Sequence, residues 1–171
     1  MADSSAESAS VVVRDAWRRD DPDLERDAIA FWRRLGILPR GVTPEARAKE
    51  LCCLIYLDGE AGAVGTVTLE VVRMVRARMG MVRVAVGTTQ REQGLAIRIV
   101  NECKAILEQW SIEHPEEKLM GIGAVIQAQG HDHWKNRPKW PPTGLDLIGH
   151  TPTGDQVRVA WFDHARLDLE A

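Results

Sequence analysis

Apolar residues recur at every third or fourth position between Gly94 and His114. Ala96, Ile99, Val100, Cys103, Ile106, Leu107 and Trp110 form one stripe, the spacing of an amphipathic helix that buries one face. Arg98/Glu102 and Lys104/Glu108 fall four apart on the wet side, where opposite charges support a helix, and Pro115 ends it. A second stripe, Leu24, Ala28, Phe31, Trp32 and Leu35, follows Asp21-Pro22 and stops at Gly36. A side-chain cap followed by proline is a helix start, and glycine is a helix stop. Thr43-Pro44-Glu45 repeats the start signal for a shorter helix running toward Glu50.

The strand-like runs are Val11–Val13, Leu51–Leu57, Val64–Val72, Met81–Val86 and Leu119–Ile126, with a closing pair at Leu145–His150 and Gln156–Phe162. Asp58-Gly59 between two apolar runs is a hairpin signal. A basic link, Arg73 to Arg78, joins the second strand of that hairpin to the next. The predicted order is strand, two helices, a three-strand meander, a long helix, a strand, an irregular segment and a hairpin. Strands and helices mixed in this way indicate an α/β (α+β) class. The chain reads as a leader over residues 1–10, expected to be disordered, followed by one domain over 11–171.

Composition narrows the function. The chain has 171 residues, 44% hydrophobic and 27% charged, with 22 basic against 25 acidic side chains. A net charge of −3 argues against nucleic acid as a partner, since such domains carry a basic footprint. Three cysteines, Cys52, Cys53 and Cys103, are no disulfide framework and fit a reducing compartment. As strand neighbours, Cys52 and Cys53 are expected on opposite faces. The amino-terminal residues show neither a secretory nor a transit pattern, and no stretch is long and apolar enough for a membrane span. The expected location is cytoplasmic.

The most informative segment runs from Val82 through Gly87-Thr88-Thr89-Gln90-Arg91-Glu92-Gln93-Gly94-Leu95-Ala96. It passes from a strand through a polar turn into the long helix. A helix start presents unpaired N–H groups and a positive dipole end, which suits phosphate. Residues 71–98 hold six arginines and a single acid, Glu92, a basic patch inside an acidic protein. Neither GxxxxGK[ST] nor GxGxxG is present, so the Walker and dinucleotide loops are excluded.

Arg91-Glu92-Gln93-Gly94-Leu95-Ala96 resembles the [Q/R]-x-x-G-x-[G/A] signature of the GNAT superfamily of acyl-CoA-dependent N-acetyltransferases, and the order of elements resembles that family over nearly the whole chain. The resemblance implies a mixed central sheet of about seven strands, splayed between the fourth and fifth, with about four helices. It implies acetyl-CoA as cosubstrate and an amine as acceptor, with direct attack in a ternary complex. Val84, Ala85 and Val86 would line the pantetheine arm, and the turn Arg91, Glu92, Gln93, Gly94, Leu95 and Ala96 would hold the pyrophosphate. A non-catalytic module of the same fold, binding CoA or a protein partner, is the alternative.

One departure stands out. The family's usual proton donor is a tyrosine after the fifth strand, and the single tyrosine here is Tyr56, in the early hairpin. His131 and His133 are the nearest substitutes, since histidine titrates near neutrality; a solvated turn is the competing reading. No further ligand lies near them, so no metal is expected. Glu70 is the candidate base, with Asp146 and Asp163 behind it. Trp134 and Trp140 interleave with Lys135, Arg137 and Lys139, a pattern for a lid over an acceptor site or a homodimer contact.

Overall fold

The computed structural model describes residues 10–89, 94–127 and 136–167. The elements are β1 (Val11–Asp15), α1 (Pro22–Leu35), α2 (Pro44–Ala48), β2 (Leu51–Leu57), β3 (Glu60–Val72), β4 (Ala77–Val86), α3 (Leu95–Glu113), β5 (Leu119–Ile126), β6 (Lys139–Trp140), β7 (Leu145–His150) and β8 (Gln156–Trp161). One mixed sheet runs in the order β1-β2-β3-β4-β5-β8-β7-β6. All pairs are antiparallel except β4 with β5. The eighth strand is the two-residue β6, too short to show in a hydrophobic pattern. Three α-helices are present among the described residues, one fewer than expected. Most of the first half of the irregular segment, residues 128–135, lies outside the described residues.

Local chemistry sets the ends of α1 and α2. The Asp21 carboxylate accepts the Asp23 and Leu24 N–H groups, and Gly36 closes α1 in the left-handed region at φ 60°. Thr43 caps α2 by accepting the Ala46 N–H. Asp58 and Gly59 both take positive φ, 49° and 84°, as a two-residue hairpin turn between strands of right-handed twist requires. β3 and β4 begin four residues earlier than their valine runs suggested. The added residues, Glu60–Ala63 and Ala77–Gly80, are mostly small and are held by the ladders Leu57↔Glu60 and Val72↔Ala77. Pairing overrides propensity there.

The sheet is covered on both faces. α3 lays Leu95, Ile99, Val100, Cys103 and Leu107 against one face, over Cys53, Ala63, Val67 and Val82. α1 puts Ala28, Phe31 and Trp32 on the other, against Leu54 and Val64. Farther along that second face, Met79, Met81 and Val159 are buried beneath the β3–β4 turn, where Met74 lies over Gly149. Among the described residues, no helix is long and apolar enough to cross a membrane.

The three cysteines correct one expectation. A β-bulge between Leu51 and Cys53 breaks the alternation, and Cys52 and Cys53 both join the core under α3. Cys53 Sγ lies 3.6 Å from Cys103 Sγ. Contact with Cys103 and burial hold the Cys53 thiol far above its ordinary range, and contact with Cys52 and burial do the same for Cys103. These are neutral, packed thiols, without the thiolate character that a nucleophile needs.

Candidate acyl-CoA cleft

The chain builds a slot where β4 and β5 part. Their parallel pairing runs Arg78↔Leu119, Met79↔Gly121, Gly80↔Ile122 and Met81↔Gly123, and ends there. β4 continues through Val86 paired only with β3, while β5 continues through Ile126 paired only with β8. An extra residue on β5, Met120, interrupts the register at the start of the contact. Such a bulge bends the strand and adds local twist. Beyond Met81/Gly123 no ladder holds the two strands together against the twist of each half-sheet. Val84 is 37% exposed, and Ala85 and Val86 are half-buried, so the predicted pantetheine strand borders the opening. The Gly87 N–H is tied back to the Gly62 carbonyl at 3.0 Å.

The carboxyl end of β4 leads to the amino end of α3. Gly94 is the N-cap, at φ 68° and ψ 17°, with no side-chain cap and no acid in the first turn. The first intrahelical bond runs from the Arg98 N–H to the Gly94 carbonyl, so the amides of Leu95, Ala96 and Ile97 have no partner within the helix. α1 and α2 are both capped by side chains; α3 is not, among the described residues. A Cβ added at Gly94 would meet nothing within 4 Å. Among the described residues, the room at Gly94, the amides without an intrahelical partner and a positive dipole end together suit an anion. Arg91, Glu92 and Gln93, the rest of the predicted turn, lie outside the described residues, as do His131, His133 and Trp134.

The basic patch read from the sequence does not survive folding as one surface. Arg73 and Arg76 sit in the β3–β4 turn, at the opposite end of the ten-residue β4 from Gly94. Arg78 donates to the Glu117 carbonyl and carboxylate at 2.9 and 2.6 Å. Arg83 lies on the face away from α3, 3.8 Å from Glu70 and 3.9 Å from Glu50. Only Arg98 of the described arginines stays beside the helix start, 3.9 Å from Glu102. Linear charge counts are blind to strand direction and to the alternation of faces.

Glu70 is placed two residues from the end of the parallel pairing, opposite Met79. It is 52% exposed, and its carboxylate accepts the Thr68 hydroxyl at 2.9 Å, while Arg83 donates to the same hydroxyl at 3.0 Å. Glu50 and Thr68 were not singled out from the sequence, and Arg83 only as part of the basic patch, because the β3–β4 register and the α2–β2 turn are what bring them together. Asp146 pairs with Lys139 at 3.8 Å. Asp163 gives its N–H to Glu108. Among the described residues no cluster of three His, Cys, Asp or Glu is arranged for a metal ion.

Tyr56 is held away from the slot. Its hydroxyl donates to Asp27 on α1 at 2.7 Å, on the face opposite α3. Burial, then the bond to Asp27, raises the phenol well above its ordinary value. In the folded chain the proton stays on where an unfolded tyrosine loses it, so this contribution to stability is complete below about pH 10 and is lost as pH rises further. Tyr56 is the only tyrosine in the chain, so phenolate absorbance reports it alone. The titration midpoint is expected above that of the urea-unfolded chain, and Asp27→Asn is expected to lower it. Coincident folded and unfolded titrations would contradict the Asp27 bond.

No protein-family model and no curated relative matches the chain. Solved structures do. The acetyltransferase of GNAT family from Streptococcus pneumoniae is similar with a TM-score of 0.59 at 14% identity, covering 90% of this chain and 99% of that one. The ribosomal-protein-S5-alanine acetyltransferase from Vibrio fischeri is similar with a TM-score of 0.60 at 12% identity, covering 94% and 100%. Arabidopsis thaliana NAA60, solved with acetyl-CoA, is similar with a TM-score of 0.59 at 12% identity, covering 90% and 99%. At these identities the likeness is one of fold.

Proposed function

We propose that this chain, which has the fold of the GNAT acetyltransferases, binds acetyl-CoA in the slot between β4 and β5 and transfers the acetyl group to an amine. The observation that carries the reading is the junction of two features. A parallel strand pair opens at Met81/Gly123, and the strand beyond it feeds a helix start with no side-chain cap among the described residues. The pyrophosphate would rest on the amides of Gly94, Leu95 and Ala96, with Arg91, Glu92 and Gln93 completing the turn. Backbone groups of Val84, Ala85 and Val86 would hold the pantetheine arm as a sheet edge holds an added strand.

In the proposed reaction the amine nitrogen attacks the thioester carbonyl carbon. The tetrahedral intermediate collapses to an amide and releases the CoA thiolate. The nitrogen loses one proton and the thiolate gains one. Glu70 is the proposed base, acting directly or through water, and His131 or His133 the proposed donor to sulfur. Holding the two reactants in line supplies a large part of the rate in such transfers. The non-catalytic alternative draws on one observation, the engagement of the sole phenol with Asp27.

CoA is expected to raise the melting temperature. At one hundred times its Kd a ligand stabilises by about 2.7 kcal/mol, about 5–10 °C for a chain of this length. Turnover of acetyl-CoA over a panel of primary amines then separates an enzyme from a binding module. An unchanged melting temperature at millimolar CoA sinks both.

A further inference from the structure

Arg158 is among the most deeply buried side chains of the molecule, 1% exposed. A buried guanidinium is costly unless its donors are matched, and three of its matches belong to one segment. Nη1 donates to the carbonyls of Pro138 and Leu145 at 3.2 and 3.3 Å, and Nη2 to the carbonyl of Arg137 at 2.9 Å. Nε is taken by Gln156 at 2.9 Å. The fork thus clips both ends of the loop 137–145 onto β8. The middle of the loop reaches α3, where Asn101 Nδ2 donates to the Pro142 carbonyl at 3.0 Å. Trp140 packs on the core beneath α3. In register, Arg158 stands opposite Ala124, the first β5 residue beyond the last pair with β4. The loop therefore bridges β8 to α3 across β5, on the α3 side and level with the point where the slot opens.

We propose that Arg158 is a positioning residue that fixes the loop 137–145 as the wall of the acyl-CoA cleft facing the amino-terminal half of α3. The proposal rests on the acyl-CoA reading above. Its physical content is an ordering equilibrium. The cleft is complete only in molecules whose loop is clipped, and apparent affinity scales with that fraction. Lysine at 158 would keep the charge but lose the fork that reaches both ends of the loop.

Hydrogen–deuterium exchange with CoA as the probe tests this, read in parallel with calorimetric Kd. In the parent protein CoA is expected to slow exchange both in the peptide spanning the start of α3 and in the peptide spanning 137–147. Arg158→Gln is expected to speed exchange at 137–147 without ligand and to weaken CoA about tenfold, as when a tenth of the molecules remain competent, with Arg158→Lys between the two. Asn101→Ala, at an exposed helix position, spares the sheet and tests the same bridge should the Arg158 variants fail to fold. It too is expected to loosen the loop and weaken CoA. An arginine with a purely structural role would lower the melting temperature and leave CoA affinity and the loop's response to CoA unchanged. Protection at the start of α3 with none at 137–147 overturns the wall while leaving the acyl-CoA reading intact. Protection at neither peptide overturns both.

Discussion

Gly94→Glu is expected to weaken CoA at least about a hundredfold, about 2.7 kcal/mol, while the circular dichroism spectrum stays that of the parent. Two effects combine. Gly94 sits in the left-handed region at φ 68°, where a residue with a Cβ costs about 1–2 kcal/mol. That cost falls on the fold and is tolerable, since a Cβ there meets no neighbour. The larger effect is electrostatic. A carboxylate at the N-cap would accept from the same uncapped amides that the pyrophosphate needs and would repel the phosphate charge. Gly94→Asn separates the two, because asparagine tolerates the conformation without charge; it is expected to lose far less affinity than Gly94→Glu. Gly94→Glu binding CoA within threefold of the parent by calorimetry would place the phosphate elsewhere.

Gly121→Ala is expected to be the most damaging single methyl in the sheet. β5 is the central strand, parallel to β4 on one side and antiparallel to β8 on the other. A Cβ at Gly121 would overlap the backbone carbonyl of Ala160 and press the Met79 sulfur at 3.0 Å. A methionine can swing aside, but a backbone carbonyl within a ladder cannot move without shifting the β5–β8 pairing. Overpacking of this kind costs about 1–3 kcal/mol, and the backbone clash puts this case at the upper end. The small gain from a less flexible unfolded chain does not offset it. The expected drop in melting temperature is about 6–12 °C. Gly123→Ala provides the comparison. Its Cβ would meet the Met81 sulfur at 2.7 Å, the far part of a flexible side chain, and the Arg158 carbonyl at 3.2 Å, a looser backbone contact than at Gly121, so its loss should be a fraction of that at Gly121. Equal melting temperatures for the two variants would mean that the β5–β8 ladder yields freely at Gly121.

The two variants probe features of different origin. What the sequence determined by itself is what neighbouring residues decide among themselves. Asp21 and Thr43 cap the helices that follow them, Asp58-Gly59 turns the hairpin, Gly36 ends α1, and the apolar stripe from Ala96 to Trp110 becomes the buried side of α3. The strand that leads toward Gly94 and the helix that starts after it were legible for the same reason, and amides without an intrahelical partner at a helix start follow from backbone geometry alone. The order of elements then carried the fold.

Tertiary structure decided everything that depends on register. Pairing of β4 with β5 is interrupted at Met120 and ends at Met81/Gly123, and no periodicity marks either point in a strand of mixed small and apolar residues. A second bulge brings Cys52 and Cys53 to the same side, against the alternation of an ideal strand. Thr68, Glu70 and Arg83 meet because β3 pairs with β4 in one register out of several, and Glu50 joins them from the turn before β2. Arg73, Arg76, Arg78 and Arg83, close in sequence, part company because β4 and the turn before it carry them to different ends and faces of the sheet. Arg158, a charged residue in the closing hairpin, is buried where carbonyls some twenty residues earlier come to meet it. Local signals are written in spans of a few residues, where caps, turns and helical stripes act. Partners brought together across a sheet are separated by loops whose length the pattern shows but whose closure it does not, so the end of the β4–β5 pairing and the charge network belong to the folded chain alone.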